Sequence, residues 1–196
     1  MEKILHIVGG ANGSGKSTVA QAIIQETGLP FLNPDLIAQE INPHAIDTVK
    51  IQAGKEYLKR LNHYFNHQQS FIIESTLAGK NVTKIIQHAH HHNYLVKISY
   101  TFLSHSNQCI DRIQHRVANG GHNVPLSDVV RRYYRSIINF EELYKNQVEE
   151  WNIFYNGFNY APIMVATCKN NCCEICHPLL YRRFLKIFRY CKEHRP

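Results

Sequence analysis

The chain has 196 residues, 44% of them hydrophobic, with 10 Gly and 7 Pro. This length predicts one domain with room for a small appendage, and a charged fraction of only 19% argues against a disordered chain. No apolar run approaches the roughly 18 residues that a membrane helix needs, and Met1-Glu2-Lys3-Ile4 does not open a cationic-then-apolar signal segment, so a cytoplasmic, soluble protein is expected.

The formal net charge is +7, and it is unevenly placed. From Cys168 onward, Lys169, Arg182, Arg183, Lys186, Arg189, Lys192 and Arg195 face only Glu174 and Glu193. The body before Cys168 is therefore close to neutral. That argues against nucleic acid as a partner of the body and confines the idea to the tail.

In chain order, Ile4–Val8 is a short apolar run bounded by Gly9-Gly10 and predicts a buried parallel strand. Val19, Ala20, Ile23 and Ile24 then recur at helical spacing until Gly28-Leu29-Pro30 stops them. Phe31-Leu32 predicts a second strand, and Asn33-Pro34-Asp35 a turn leaving it. Ile46 to Gln69 reads as a long polar helix, Phe71–Ile73 as a third strand, Val82–His92 as a helix and Tyr94–Phe102 as a fourth strand. Asn107–Val117 is helical again, broken by Asn119-Gly120-Gly121, and Ser127 is the expected N-cap of a further helix. Ile153–Tyr155 and Ile163–Ala166 predict two closing strands. Strand and helix alternating, with apolar strands, predict an α/β fold with a doubly wound parallel sheet.

Residues Gly10-Ala11-Asn12-Gly13-Ser14-Gly15-Lys16-Ser17 fit G-x-x-x-x-G-K-[ST] without a mismatch, directly after a strand and before a helix. The glycines let successive backbone N–H groups turn toward phosphate oxygens, and the helix start adds a positive dipole end. Lys16 would reach the outer phosphates, and the Ser17 hydroxyl would be a Mg²⁺ ligand. Gly10 through Thr18 are thus the expected binding segment for ATP.

Two acidic positions at the strand ends and an arginine pair on a helix are further candidates. Asp35 follows the second strand and is read either as a base for an acceptor hydroxyl or as a first-turn acid of the next helix. Glu74 ends the third strand and is read as a metal-orienting acid or an ordinary strand-end charge, with Ser75 and Thr76 beside it as hydrogen-bond donors to substrate. Arg112 and Arg116, four apart on one helix face, precede the Gly120-Gly121 hinge and Arg131-Arg132. They suit a helical lid that neutralises phosphate charge, or a solvated basic face.

With these residues in view, the chain resembles the zeta-toxin-like P-loop kinases. The matching segments are Gly9–Thr18, Asn33-Pro34-Asp35-Leu36-Ile37-Ala38, Phe71–Leu77, and Arg116 to Pro125 with Arg131-Arg132-Tyr133. The resemblance spans residues 1 to about 166 and implies a P-loop NTPase fold of the kinase kind. It implies ATP and Mg²⁺ as cofactors and transfer of the γ-phosphate to a hydroxyl of a nucleotide sugar such as UDP-N-acetylglucosamine. By position, Lys16 and Ser17 would serve ATP and Mg²⁺ and Asp35 would be the base. Asn33, Glu74 and Thr76 would lie beside substrate, and Arg116 and Arg132 would clamp phosphate. An antitoxin protein is the partner such a family implies. Where relatives carry an Asp-Asn-Ser-like turn before the last strand, this chain has Tyr155-Asn156-Gly157. Ile41 to Gln69 matches no nucleotide-sugar segment. The alternatives are an ATP-binding switch or ATPase without kinase activity, or a kinase of a nicotinamide dinucleotide, an antibiotic or a nucleic-acid end.

The expected organisation is a kinase domain over 1–167 and a Cys-rich, basic tail over 168–196. Five of the six cysteines lie in that tail. Cys173 and Cys176, with Cys168 or His177, are spaced for zinc, but the expectation is a reduced cluster, ahead of a disulfide scaffold. Leu180, Phe184, Ile187, Phe188 and Cys191 form one apolar stripe of a basic amphipathic helix. Docking on the body is the expected use of that stripe, with a membrane surface or nucleic acid as alternatives. His88, His90, His91 and His92 are read as an exposed helix end rather than a metal site.

Overall fold

The computed structural model describes residues 2–121, 123–157 and 161–194. Its centre is a seven-stranded sheet of β1 (Lys3–Gly9), β2 (Phe31–Leu32), β3 (Phe71–Ser75), β4 (Tyr94–Phe102), β5 (Glu150–Tyr155), β6 (Ile163–Lys169) and β7 (Cys172–Glu174). The spatial order is β2-β3-β1-β4-β5-β6-β7. The first five strands run parallel, while β6 and β7 are antiparallel additions. The helices are α1 (Lys16–Thr27), α2 (Pro34–Ile41), α3 (Lys50–Asn66), α4 (Asn81–His91), α5 (Ser106–Ala118), α6 (Leu126–Asn139) and α7 (Pro178–Glu193).

Strand alternation assigns the two faces of the sheet. Val8 and Ile72 point to one face and pack with Val19 and Ala20 of α1. Leu5, Ile7, Phe71 and Ile73 point to the other and join the main core with residues of α2 to α7. Helices on both faces explain why these strands are mostly apolar on both sides. Ordered as β3-β1-β4, the middle strands put the loop after β1 where chain connections diverge to either side, at the carboxyl end of the sheet.

Local chemistry shifts several boundaries. The expected helix over 46–69 is narrower. Residues 46–49 tighten into a 3₁₀ turn because both the amide and the hydroxyl of Thr48 bond the Ala45 carbonyl. At the other end, Gln68 takes a left-handed φ of 54° and stops the helix. Ser127 is not the N-cap of α6. Pro125 is, and Ser127 lies inside the first turn with Asp128. A π-helical turn over Phe140–Tyr144 follows α6, with Phe140 and Tyr144 buried.

The tail is part of the sheet and of the core. Strand β6 runs through position 167, and Asn170-Asn171, both with positive φ (50° and 65°), make the two-residue turn into β7. That register sets Cys168 opposite Cys173, and their sulfurs are bonded as a disulfide. The reduced cluster expected from composition is thus replaced at these two positions, because spacing along the chain does not reveal which thiols a hairpin aligns. Cys172 and Cys176 are exposed and unbonded. Among the described residues, no three His, Cys, Asp or Glu side chains gather as a metal site. On α7, Leu180, Phe184 and Cys191 are buried, and the Phe184 ring meets Phe102, Tyr100 and Phe140 at centroid distances of 5.0, 6.2 and 6.2 Å. The apolar stripe is therefore docked on the body. Among the described residues no helix is long and apolar enough to cross a membrane.

Candidate active site at the phosphate loop

The loop from Gly10 to Gly15 leaves β1 and curls back so that α1 begins at Lys16, pointing its amino end into a cavity of about 450 Å³. Gly13 and Gly15 are two of the loop positions that geometry reserves for glycine. Gly13 has φ 78°, and a Cβ there would sit 2.6 Å from the Cys109 carbonyl oxygen. Gly15 has φ 96°, and its Cβ would collide with the Asn156 amide.

The loop is fastened from below. The Ser14 hydroxyl shares a 2.7 Å hydrogen bond with that of Thr101 on β4. The Asn156 side chain donates to the Ser14 carbonyl at 3.0 Å, and Arg112 donates to the Asn156 carbonyl at 2.6 Å. In this chain, then, the Tyr155-Asn156-Gly157 turn holds the loop through Asn156, the residue it shares with the Asp-Asn-Ser-like turn, while Tyr155 stands in place of the acid. Lys16 is only 6% exposed; its ammonium donates to the Ala11 carbonyl at 3.1 Å and pairs with Glu74 at 3.5 Å.

Glu74 is the hub. Besides Lys16 it accepts from the Asn33 side chain at 3.2 Å and from the Ser17 hydroxyl at 3.5 Å. Asn33 also caps α2, accepting the Asp35 amide at 2.8 Å, with Pro34 at the first helical position. Asp35 therefore sits in the first turn of α2, the local role anticipated as its alternative, and it also lines the cavity with Lys16, Ser17 and Glu74. The first-turn position and the place in the cavity lining are compatible.

From the lid side, Arg112 and Arg116 of α5 line the same cavity. Arg132 on α6 reaches the loop by donating to the Asn12 side chain at 3.1 Å, and Asp128 holds both Arg131 and Arg132, at 2.6 and 3.4 Å. Asp128 keeps its carboxyl below the usual range, chiefly through the Arg131 hydrogen bond. The structure thus gathers Asn12, Gly13, Gly15, Lys16, Ser17, Thr18, Asp35, Glu74 and Arg116 around one cavity, with Arg132 at its edge. Thr76 is not among the lining residues described. Its hydroxyl is used by the turn after β3, accepting the Ala78 amide at 3.4 Å. His122 lies outside the described residues. Thr101 and Asn156 are not among the site residues expected from sequence. For Thr101 the sequence signal is its position near the carboxyl end of β4; for Asn156 it is its place just after β5, in the turn compared above with an Asp-Asn-Ser-like one.

A family model described as an AAA domain matches residues 5–136. An uncharacterized protein of Haemophilus influenzae strain Rd is 30% identical over 125 residues, 64% of this chain and 88% of that protein. Among solved structures, the AvrRxo1-ORF1:-ORF2 complex with ATP is similar at a TM-score of 0.71 and 14% identity, covering 93% of this chain and 63% of that chain. This chain therefore spans less than two thirds of the length of that relative. The PezAT toxin–antitoxin structure of Streptococcus pneumoniae is similar at 0.63 and 15% identity, over 98% of this chain and 86% of that chain. At such identities the likeness is one of fold, a P-loop kinase-like α/β domain.

Proposed function

The chain belongs to this AAA domain family, and from that membership we propose that it is an ATP-dependent phosphotransferase acting on a hydroxyl of a small molecule. One observation carries the reading: Lys16 and Asp35 line the same cavity of about 450 Å³, so a phosphate cradle and a carboxylate open onto one space. In this reading the loop amides and Lys16 hold the β- and γ-phosphates. Asp35 takes the proton of the acceptor hydroxyl as its oxygen attacks the γ-phosphorus. The bond from that phosphorus to the bridging oxygen breaks, and the electron pair leaves with ADP. Arg116 and Arg132 approach from α5 and α6, where charge spreads over the transferring group.

The oxygen donors here suit a hard cation. Ser17 Oγ and the Glu74 carboxylate lie 3.5 Å apart, both of the ligand type that Mg²⁺ takes, and they would hold it. When bound, Mg²⁺ supplies charge neutralisation of the phosphates.

For the acceptor, the finer reading is a nucleotide sugar such as UDP-N-acetylglucosamine. Its support is a second cavity of about 610 Å³ one turn farther along α6 from Arg132, lined by Lys80, Arg135, Asn139 and Glu142 among others. The two cations outnumber the one acid there, which suits an acceptor that carries phosphate. An antitoxin-type protein partner belongs to the same reading, prompted by the PezAT system among the structural relatives.

The test is incubation of the protein with ATP, Mg²⁺ and a metabolite extract, with mass spectrometry to find the compound that gains a phosphoryl group. Asp35→Asn is expected to lower transfer by about a hundredfold or more while ATP affinity by calorimetry stays within about twofold. Transfer at the wild-type rate by that variant would remove Asp35 from the role of base.

A further inference from the structure

The basic side of the docked tail helix is not used by the reading above. Between α7, the loop after β4 with the start of α5, the end of β5 and α6 lies an open cavity of about 780 Å³. Among the described residues this cavity shares no lining residue with the phosphate-loop cavity. We propose that it is a second binding site, for a planar aromatic ring carrying one phosphate group, the chemistry of a mononucleotide or a pyridoxal-type phosphate.

Charge is the first argument. Arg183 and Lys186 line the cavity, and none of the lining residues described is Asp or Glu. Arg183 is held in place by neutral groups: it donates to the Ser104 hydroxyl at 3.3 Å and to the Tyr155 hydroxyl at 3.4 Å. It also lies over the Tyr155 ring at 5.9 Å, and Ser104 and Tyr155 are bonded to each other at 2.9 Å. These contacts orient the guanidinium without neutralising it. Lys192 on the same helix differs, being paired with Glu142 at 2.8 Å. Two cations without an acid balance a phosphate monoester, which carries about −1.5 to −2 at neutral pH.

Shape is the second argument. Tyr134 and Tyr190 stand with ring centroids 6.3 Å apart at an interplanar angle of 37°, and both line the cavity as an aromatic wall. Aromatic walls with a few placed polar groups suit a flat ring, and the volume falls in the range of small-ligand sites.

The experiment uses the full chain saturated with ATP and Mg²⁺, titrated with pyridoxal 5′-phosphate while tyrosine fluorescence is followed. Borohydride then traps the bound probe. The aldehyde condenses with a lysine ε-amine, releasing water, and hydride reduces the imine to a secondary amine that peptide mass spectrometry can place. One label per chain on Lys186 is expected, undiminished by ATP. Arg183→Ala with Lys186→Ala should weaken the fluorescence-detected binding by about tenfold or more. Both side chains are exposed, so the fold should hold. Arg182→Ala with Arg189→Ala removes equal charge from elsewhere on α7 and should change binding less than about twofold. No saturable binding, displacement of the probe by ATP, or equal weakening by the control pair would each overturn the proposal.

Discussion

Lys16 and Glu74 constrain each other, and their 3.5 Å pair shows how single residues divide the work of the cleft. Both are largely shielded, at 7% and 15% side-chain exposure, so neither charge is offset mainly by water. Lys16→Met is expected to weaken ATP binding by about thirtyfold or more in calorimetry, since hydrogen bonds to a charged group contribute about 1.5–3 kcal/mol. Asp35 shows the opposite economy. Its backbone serves the α2 cap while its side chain remains available to the cavity, so Asp35→Asn leaves the helix start intact. That is why the Asp35 substitution tests chemistry while the Lys16 substitution tests binding.

At the scale of elements, the parallel strands carry the site because each ends at the same edge. His6 of β1 bonds Ser99 of β4 at 2.9 Å, tying two neighbouring strands below the loop. Burial, with the Lys97 ammonium adding to it, lowers the His6 pKa from 6.5 to about 4. The unfolded chain therefore binds the extra proton between those two values. The stability that His6 contributes is complete above about pH 6.5 and is lost as pH falls toward 4. Chemical denaturation is expected to show a loss on the order of 2 kcal/mol from pH 7 to pH 5, and His6→Gln should flatten that slope. A variant as steep as the wild type would mean that His6 is not its source. Within the main core, Phe184 joins α7 to β4 and to the π-helical turn. Phe184→Ala should cost about 3–5 kcal/mol, read as a lowered denaturation midpoint with unchanged slope.

For the whole molecule, the α/β body and the tail form one continuous core. Leu180, Phe184 and Cys191 belong to the same buried cluster as Ile98, Tyr100 and Phe140. We expect a chain ended at His177 to be aggregation-prone or largely unfolded by circular dichroism, because it would bare that apolar face. A truncated chain that is monomeric and melts like the full chain would instead make the tail an appendage.

The amino-acid sequence by itself determined the phosphate loop, the strand order of alternation with helices and the apolar identity of most strands. These depend on neighbours close along the chain: a glycine pattern between a strand and a helix, or apolar runs with turn residues beside them. The Asp35 and Glu74 candidates were legible because strand ends in an open α/β sheet share one edge, and Arg116 because it falls four residues after Arg112 on one helix face. Only the tertiary structure decided that Asn156 and Thr101 clamp the loop, that Thr76 is spent on a turn, that Cys168 meets Cys173, and that α7 lines a cationic cavity. Each of those facts joins segments far apart in the chain or depends on strand register, and pairing of that kind is set by packing in three dimensions rather than by local preference.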